Sequence, residues 1–291
     1  MIPSFIVTFR ETLEAALVIG IVLSYLGKVN QTRFKPVVYS GTFCGIAASV
    51  IGALLFAKLA GGFSGAAEQI FEGITMLVGA ALLTTMILWM MKQKHIAIDL
   101  ENKVAYELTK THAFGLFALV FIAILREGIE TVIFLKAAGS VSTGNSIVGA
   151  IGGILSAIIL SYGLFMGAKK INIKRFFNIT SIILILFAGG LVAHGVHELQ
   201  EAGIIPIVVE HIWDMNPTVL SDGRFPLLHE KGMIGSIFKS LFGYNGNPSL
   251  IEVLSYVAYM LLVWQIWRRI DRNSKKDYKI SNRKMTQYAH S

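Results

Sequence analysis

Two short stretches place charges where the surrounding chain has none. Phe9-Arg10-Glu11-Thr12-Leu13-Glu14 and Leu125-Arg126-Glu127-Gly128-Ile129-Glu130 each set an arginine beside one glutamate and four residues before a second, inside long apolar runs. On a helix, Arg10 stacks over Glu14 and Arg126 over Glu130, while the two glutamates of each motif, three apart, share a face. Six isolated charges at the centre of a bilayer, at about 2.5 to 3.5 kcal/mol each, would cost on the order of 15 to 20 kcal/mol. They must therefore be paired, hydrated or bound to a metal. If the two helices cross at the motifs, four carboxylates and two guanidinium groups share one patch with a formal charge of about −2. Carboxylate oxygens are hard donors and suit ferric iron, or ferrous and manganous ions less selectively. The arginines are expected to balance the empty carboxylates and keep affinity low enough for release. Two plainer uses exist for such charges: a clamp between helices and a proton relay. Duplication of the motif and the excess of two carboxylates over arginines favour a cation site.

A second group of metal-capable side chains lies in Ala193-His194-Gly195-Val196-His197-Glu198-Leu199-Gln200-Glu201. His194, His197, Glu198 and Glu201 recur every three or four residues along one helical face. They are read as an outer loading site, with Glu72 as a further pathway carboxylate. The plain alternative is a water-facing helix end. The order differs from the His-Glu-x-x-His zinc-protease arrangement, because the glutamate follows the second histidine. Lys58 and Lys136, near predicted helix ends, are expected to snorkel to water. No GxxxxGK[ST] segment is present, so the chain has no built-in ATPase.

The elements that must carry these groups are membrane helices. The 291 residues are 54% hydrophobic and 15% charged, with a mean hydropathy of +0.62, an excess of apolar residues that calls for lipid as solvent. Apolar runs of roughly 20 residues, enough for a hydrocarbon layer of about 30 Å, predict an all-α protein with seven transmembrane helices. They run over Ile2–Leu26, Pro36–Leu59, Ile70–Met91, Phe114–Ala137, Ser146–Ala168, Phe176–Leu199 and Leu250–Trp267. Continuous apolar runs exclude the alternating pattern of a β-barrel. The charges inside the first run argue against a cleavable signal. Cys44 stands alone, so neither an intrachain disulfide nor a thiolate zinc site can form.

The net charge of +8 is informative through its placement. Lysines and arginines fill alternate connections (Lys28, Arg33, Lys35; Lys92, Lys94, Lys103, Lys110; Lys169, Lys170, Lys174, Arg175; and the tail from Arg268), while 60–69 and 138–145 contain none. That pattern predicts an outside N-terminus and a cytoplasmic C-terminus in the inner membrane, with the basic tail against anionic lipid rather than nucleic acid. The first and fourth spans would then run in opposite senses, each opening a block of three. The expected architecture is a three-plus-three inverted repeat plus one extra helix. Repeat one covers about residues 1–91, repeat two about 114–199, an outer loop 200–249, helix seven 250–267 and a basic tail 268–291. Within the outer loop, Ile204–Ile212 and Met233–Phe242 are apolar but too short to span, and read as interfacial or re-entrant pieces.

At these residues the chain closely resembles the oxidase-dependent iron permease family, whose signature is a pair of R-E-x-x-E motifs in the first and fourth helices. The resemblance extends through Leu199-Gln200-Glu201-Ala202-Gly203, Trp213-Asp214, Phe242-Gly243-Tyr244 and Pro248-Ser249. It implies seven helices, iron import with Glu11, Glu14, Glu127 and Glu130 as the iron-handling carboxylates, and no enzymatic activity. Fe3+ or Fe2+ is then the transported substrate and no cofactor is permanently bound. It further implies a ferroxidase or periplasmic iron-delivery partner, and the chain is compatible with a homo-oligomer. The rival readings are a manganese or other divalent-cation transporter on the same scaffold and a membrane-embedded metal-dependent enzyme. For the enzyme neither a DDxxD run nor a nucleophile elbow is found.

Overall fold

The computed structural model describes residues 1–92, 96–109, 113–141, 146–165, 173–214, 216, 225, 229 and 232–288. Among these residues the chain is helical without strands: α1 (Ile2–Lys28), α2 (Lys35–Ala60), α3 (Ala66–Lys92), α4 (Ile96–Thr109), α5 (Ala113–Val141), α6 (Ser146–Phe165), α7 (Ile173–Glu201), α8 (Met233–Phe242) and α9 (Leu250–Tyr288). The expected end of the fifth span at Ala168, and Lys94, Lys110, Lys169 and Lys170, lie outside the described residues.

Among the described residues, five stretches are both long and apolar enough to cross a membrane: Thr32–Ala60, Ala66–Met90, Ser146–Gly163, Ile179–Glu201 and Leu250–Ile270. The other two expected spans, α1 and α5, have 27 and 29 residues, ample for a crossing at 1.5 Å per residue. Their motif charges are what set them apart from the five. Large apolar side chains point outward along these helices, Phe43 at 73% exposure and Ile159 at 73% among them. Such a surface is satisfied by lipid, not water.

Small residues organise the packing, as expected where lipid removes the hydrophobic drive between helices. Thus α1 lies along α6, α2 along α5 and α3 along α7, and α1 also meets α5. On α2, a Cβ on Gly41 would come 3.0 Å from the Phe117 carbonyl oxygen and one on Gly45 2.9 Å from the Ile124 Cβ; Ser49 fills the next turn against Gly128. On α6, Gly149 lies against the Met1 carbonyl and Gly153 against the Thr8 hydroxyl, and Thr8 Oγ1 donates to the Ala150 carbonyl at 3.1 Å. Gly73 and Gly195 let α3 and α7 touch backbone to backbone.

Two apolar cores result. One joins Val7, Met76, Leu83, Ile87, Phe134, Leu184, Phe187, Leu191 and Val263; the other joins Val22, Leu26, Val38, Val104, Leu116, Val120 and Ile124. Val7 and Val22 flank the first motif along α1, and Ile124 and Phe134 flank the second along α5. The charged residues therefore fall in the gap between the cores.

Four expectations change. The third helix begins at Ala66 rather than Ile70, after Gly65 takes φ +60°. α4 was not anticipated; Leu100 and Val104, one turn apart, tie it to the second core. α9 does not stop at Trp267 but runs to Tyr288, its continuation carrying Lys, Arg and Gln, which are good helix formers. Of the two short apolar pieces, Met233–Phe242 is a helix closed by Gly243 at φ +68°. Ile204–Ile212 is irregular. It is tied to the start of α9 by Ile212 N–H to the Pro248 carbonyl (3.1 Å) and Leu250 N–H to the Val209 carbonyl (3.2 Å).

Candidate metal pathway

The helical spacing fixes the pairings within each motif. Arg10 Nε lies 3.0 Å from Glu14 Oε1, and Arg126 Nε donates to Glu130 Oε1 at 2.7 Å. The two copies differ in depth: Arg10 is fully buried, whereas the Arg126 side chain is 49% exposed. The last turn of α3 touches both. Arg10 Nη2 donates to Met90 Sδ at 3.1 Å, and the Arg126 guanidinium carbon stands 5.8 Å from the centre of the Trp89 ring.

Where α1 and α5 meet, Glu11, Glu14 and Glu127 bring carboxylate oxygens within 4.8 Å of one another. Among the described residues this is the one group of three His, Cys, Asp or Glu side chains close enough to hold a metal ion together. Glu130 is beside them but remains on Arg126. Glu11 is 1% exposed, and neither of its oxygens meets a hydrogen-bond donor; Glu127 Oε2 and Glu130 Oε2 are likewise buried without one. Buried acceptors of this kind are costly unless something positive fills the space. A cation coordinated by three or four carboxylate oxygens would satisfy them, in the manner of a hard-metal site.

The outer residues are arranged differently. His197 is flanked on both ring nitrogens, Nδ1 at 3.0 Å from Glu252 Oε1 and Nε2 at 3.1 Å from Glu201 Oε1. Glu201 also accepts from Gln69 Nε2 at 2.9 Å. His194 points elsewhere, its Nδ1 3.0 Å from the Gly190 carbonyl and its Nε2 buried without a partner. Glu198 lies half-buried on the next turn. Glu72 is paired with Lys136 at 2.7 Å, which corrects the snorkelling expectation for Lys136: the carboxylate on α3 holds the ammonium within the protein.

Glu252 is the residue that sequence reasoning missed. It is 2% exposed and accepts from Ser249 N–H (3.0 Å), Asn245 Nδ2 (2.8 Å) and His197 Nδ1 (3.0 Å). Ser249-x-x-Glu252 is a capping box, readable at the head of α9. A cavity of about 380 Å³ opens beside it, walled by Trp213, Phe238, Phe242 and Tyr256, with none of the motif carboxylates in its lining.

Comparison with known proteins identifies the family. The sequence profile of the iron permease FTR1 family matches residues 1–270. Proteins named ferrous iron permease EfeU from Escherichia coli strain UTI89 and Shigella sonnei are 30% identical over 265 residues, 90% of this chain and 93% of theirs. The one from Yersinia pestis is 30% identical over 90% of this chain and 91% of its own. No solved structure matches. These relatives are transporters, not enzymes, and several apolar helices fit a multi-pass inner-membrane protein. The chain belongs to the FTR1 family of iron permeases.

Proposed function

We propose that this protein imports iron across the cytoplasmic membrane, passing it over Glu11, Glu14, Glu127 and Glu130 where α1 and α5 meet. The observation that carries the reading is the approach of Glu11, Glu14 and Glu127 to within 4.8 Å, from helices more than a hundred residues apart. Arg10 and Arg126 neutralise part of the charge in the empty site and step aside for the cation. The ferrous ion is the substrate indicated by the relatives' names. Glu72, Glu198 and Glu201 with His197 form an acidic vestibule that concentrates cations rather than a chelating site, since most of these groups already have partners.

The architecture that serves this is seven spans, α1, α2, α3, α5, α6, α7 and α9, with α4 and α8 outside the count, and an inverted repeat relating α1–α3 to α5–α7. A precise correspondence supports the repeat. At one constant offset, Gly41, Gly45 and Ser49 of α2 map onto Gly149, Gly153 and Ala157 of α6; at the offset set by the motifs, Met1 and Thr8 map onto Phe117 and Ile124. The contacts map too: Gly41 packs on Phe117 as Gly149 does on Met1, and Gly45 on Ile124 as Gly153 does on Thr8. The alternate basic connections favour an outside N-terminus and a cytoplasmic tail from residue 268.

The test is uptake of radioactive iron into proteoliposomes, ferrous and ferric forms offered separately, comparing wild type with Glu14→Gln and Glu127→Gln and adding manganous ion as competitor. Uptake of ferrous iron by wild type and its loss in both variants is expected. Undiminished uptake in both variants refutes the site, and stronger transport of manganese than iron refutes the substrate.

A further inference from the structure

We propose that Trp89 and Met90, in the last turn of α3, are positioning residues that seat the two motif guanidinium groups and so set the affinity of the carboxylate site for its cation. This rests on the iron pathway described above and concerns residues outside its motifs. Arg10 is fully buried. Its Nη1 has no hydrogen-bond partner, and its contacts are Glu14 on one side and Met90 Sδ, at 3.1 Å, on the other. Arg126 divides itself between Glu130 at 2.7 Å and the face of Trp89 at 5.8 Å. Two adjacent residues of one helix thus serve arginines from both motifs. They sit in the last turn of α3, which ends at Lys92.

A cation entering between Glu11, Glu14 and Glu127 competes with the guanidinium groups for the same oxygens. A thioether and an indole face attract a guanidinium without being anions. They are seats of intermediate strength, to which the arginines lean while the carboxylates hold metal. Without them each arginine relies wholly on its carboxylate, and the cation must displace a firmer competitor. The expected signature is a weaker apparent affinity with an unchanged maximal rate.

Iron uptake is therefore measured in proteoliposomes for Trp89→Leu, Trp89→Phe and Met90→Leu, with rates normalised to folded protein. Met90→Leu conserves volume and Trp89→Phe keeps a ring face, so both separate seating from packing. KM is expected to rise about threefold in each Leu variant with Vmax unchanged, and Trp89→Phe to stay near wild type. KM unchanged in Trp89→Leu and Met90→Leu overturns the proposal. So does a fall in Vmax at constant KM, which marks a purely structural role. If wild type takes up no iron, the underlying pathway is refuted and this inference with it; an intact wild type that is silenced by Glu14→Gln and unaffected in KM by the two Leu changes refutes this inference alone.

Discussion

Replacing Glu11 by Gln should make the metal-free protein more stable while abolishing its response to iron. Glu11, Glu14 and Glu127 lie within 4.8 Å of one another, and at an effective dielectric of about 20 each pair of carboxylates at that distance repels by about 3.5 kcal/mol. Glu11 takes part in two of the three pairs. Its removal relieves at most about 7 kcal/mol of repulsion, the value for three fully ionised groups, and proton sharing among the carboxylates together with the lost attraction to Arg10 returns at least half. A Gln side chain also brings donors to a place where Glu11 has none, so a net gain of about 2 to 4 kcal/mol is expected. At about 2 to 4 °C per kcal/mol that is a rise of roughly 5 to 10 °C in the unfolding midpoint. Wild type should gain about 2.7 kcal/mol from ferrous ion at a hundred times its Kd; Glu11→Gln, with one ligand fewer, should gain none. The assay is thermal unfolding of detergent-purified protein under anaerobic conditions, with and without ferrous ion. A lower metal-free midpoint for Glu11→Gln, or a full metal-induced shift in that variant, would refute the view that these carboxylates are held together for a cation.

Three further substitutions test the scaffold. Gly153→Leu should sharply lower the yield and melting midpoint of folded protein, since its Cβ would meet the Phe5 carbonyl at 2.5 Å and the Phe9 nitrogen at 2.9 Å, backbone atoms that cannot yield for less than about 1 to 3 kcal/mol. Gly163→Ala, on the same helix with open space around it, should instead raise the midpoint by the equivalent of about 0.5 to 1 kcal/mol. Glu252→Gln should cost about 1.5 to 3 kcal/mol, because charge-assisted bonds from Ser249, Asn245 and His197 weaken together. Hydrogen exchange should show it first at the amides of Asn247 and Ser249.

The motifs were legible because charge inside an apolar run is rare and expensive; their convergence followed from requiring partners for Arg10, Glu11, Glu14, Arg126, Glu127 and Glu130. What composition could not reveal is which partner each group finds. Lys136 reads as a snorkelling lysine until α3 brings Glu72 to it. Trp89 and Met90 carry no charge or spacing that singles them out, and only the contacts of the last turn of α3 with Arg126 and Arg10 bring them into view. α4 was overlooked because only runs long and apolar enough to span were sought: Ile96–Thr109 is interrupted by Asp99, Glu101, Lys103 and Glu107, although Ile96, Leu100, Val104 and Leu108 recur at the spacing of an amphipathic helix. Glu252 was overlooked for a different reason: its capping box is a local signal, but its tie to His197 joins residues 55 positions apart.

The pairing of α1 with α6 has a consequence for how the chain enters the membrane. α1 is made before α5 and α6 and carries three charges in its motif, yet the glycines that seat it lie near residue 150 and its opposing carboxylate at Glu127. At about 5 to 20 residues per second, synthesis of the intervening hundred-odd residues takes roughly 6 to 25 seconds. Throughout that interval the helix depends on what it carries itself. The Arg10–Glu14 pair, formed within one helical turn, lets α1 enter lipid with two of its three charges already matched. The same arginine that balances the finished site thus also lowers the cost of placing α1 in lipid before its partners exist.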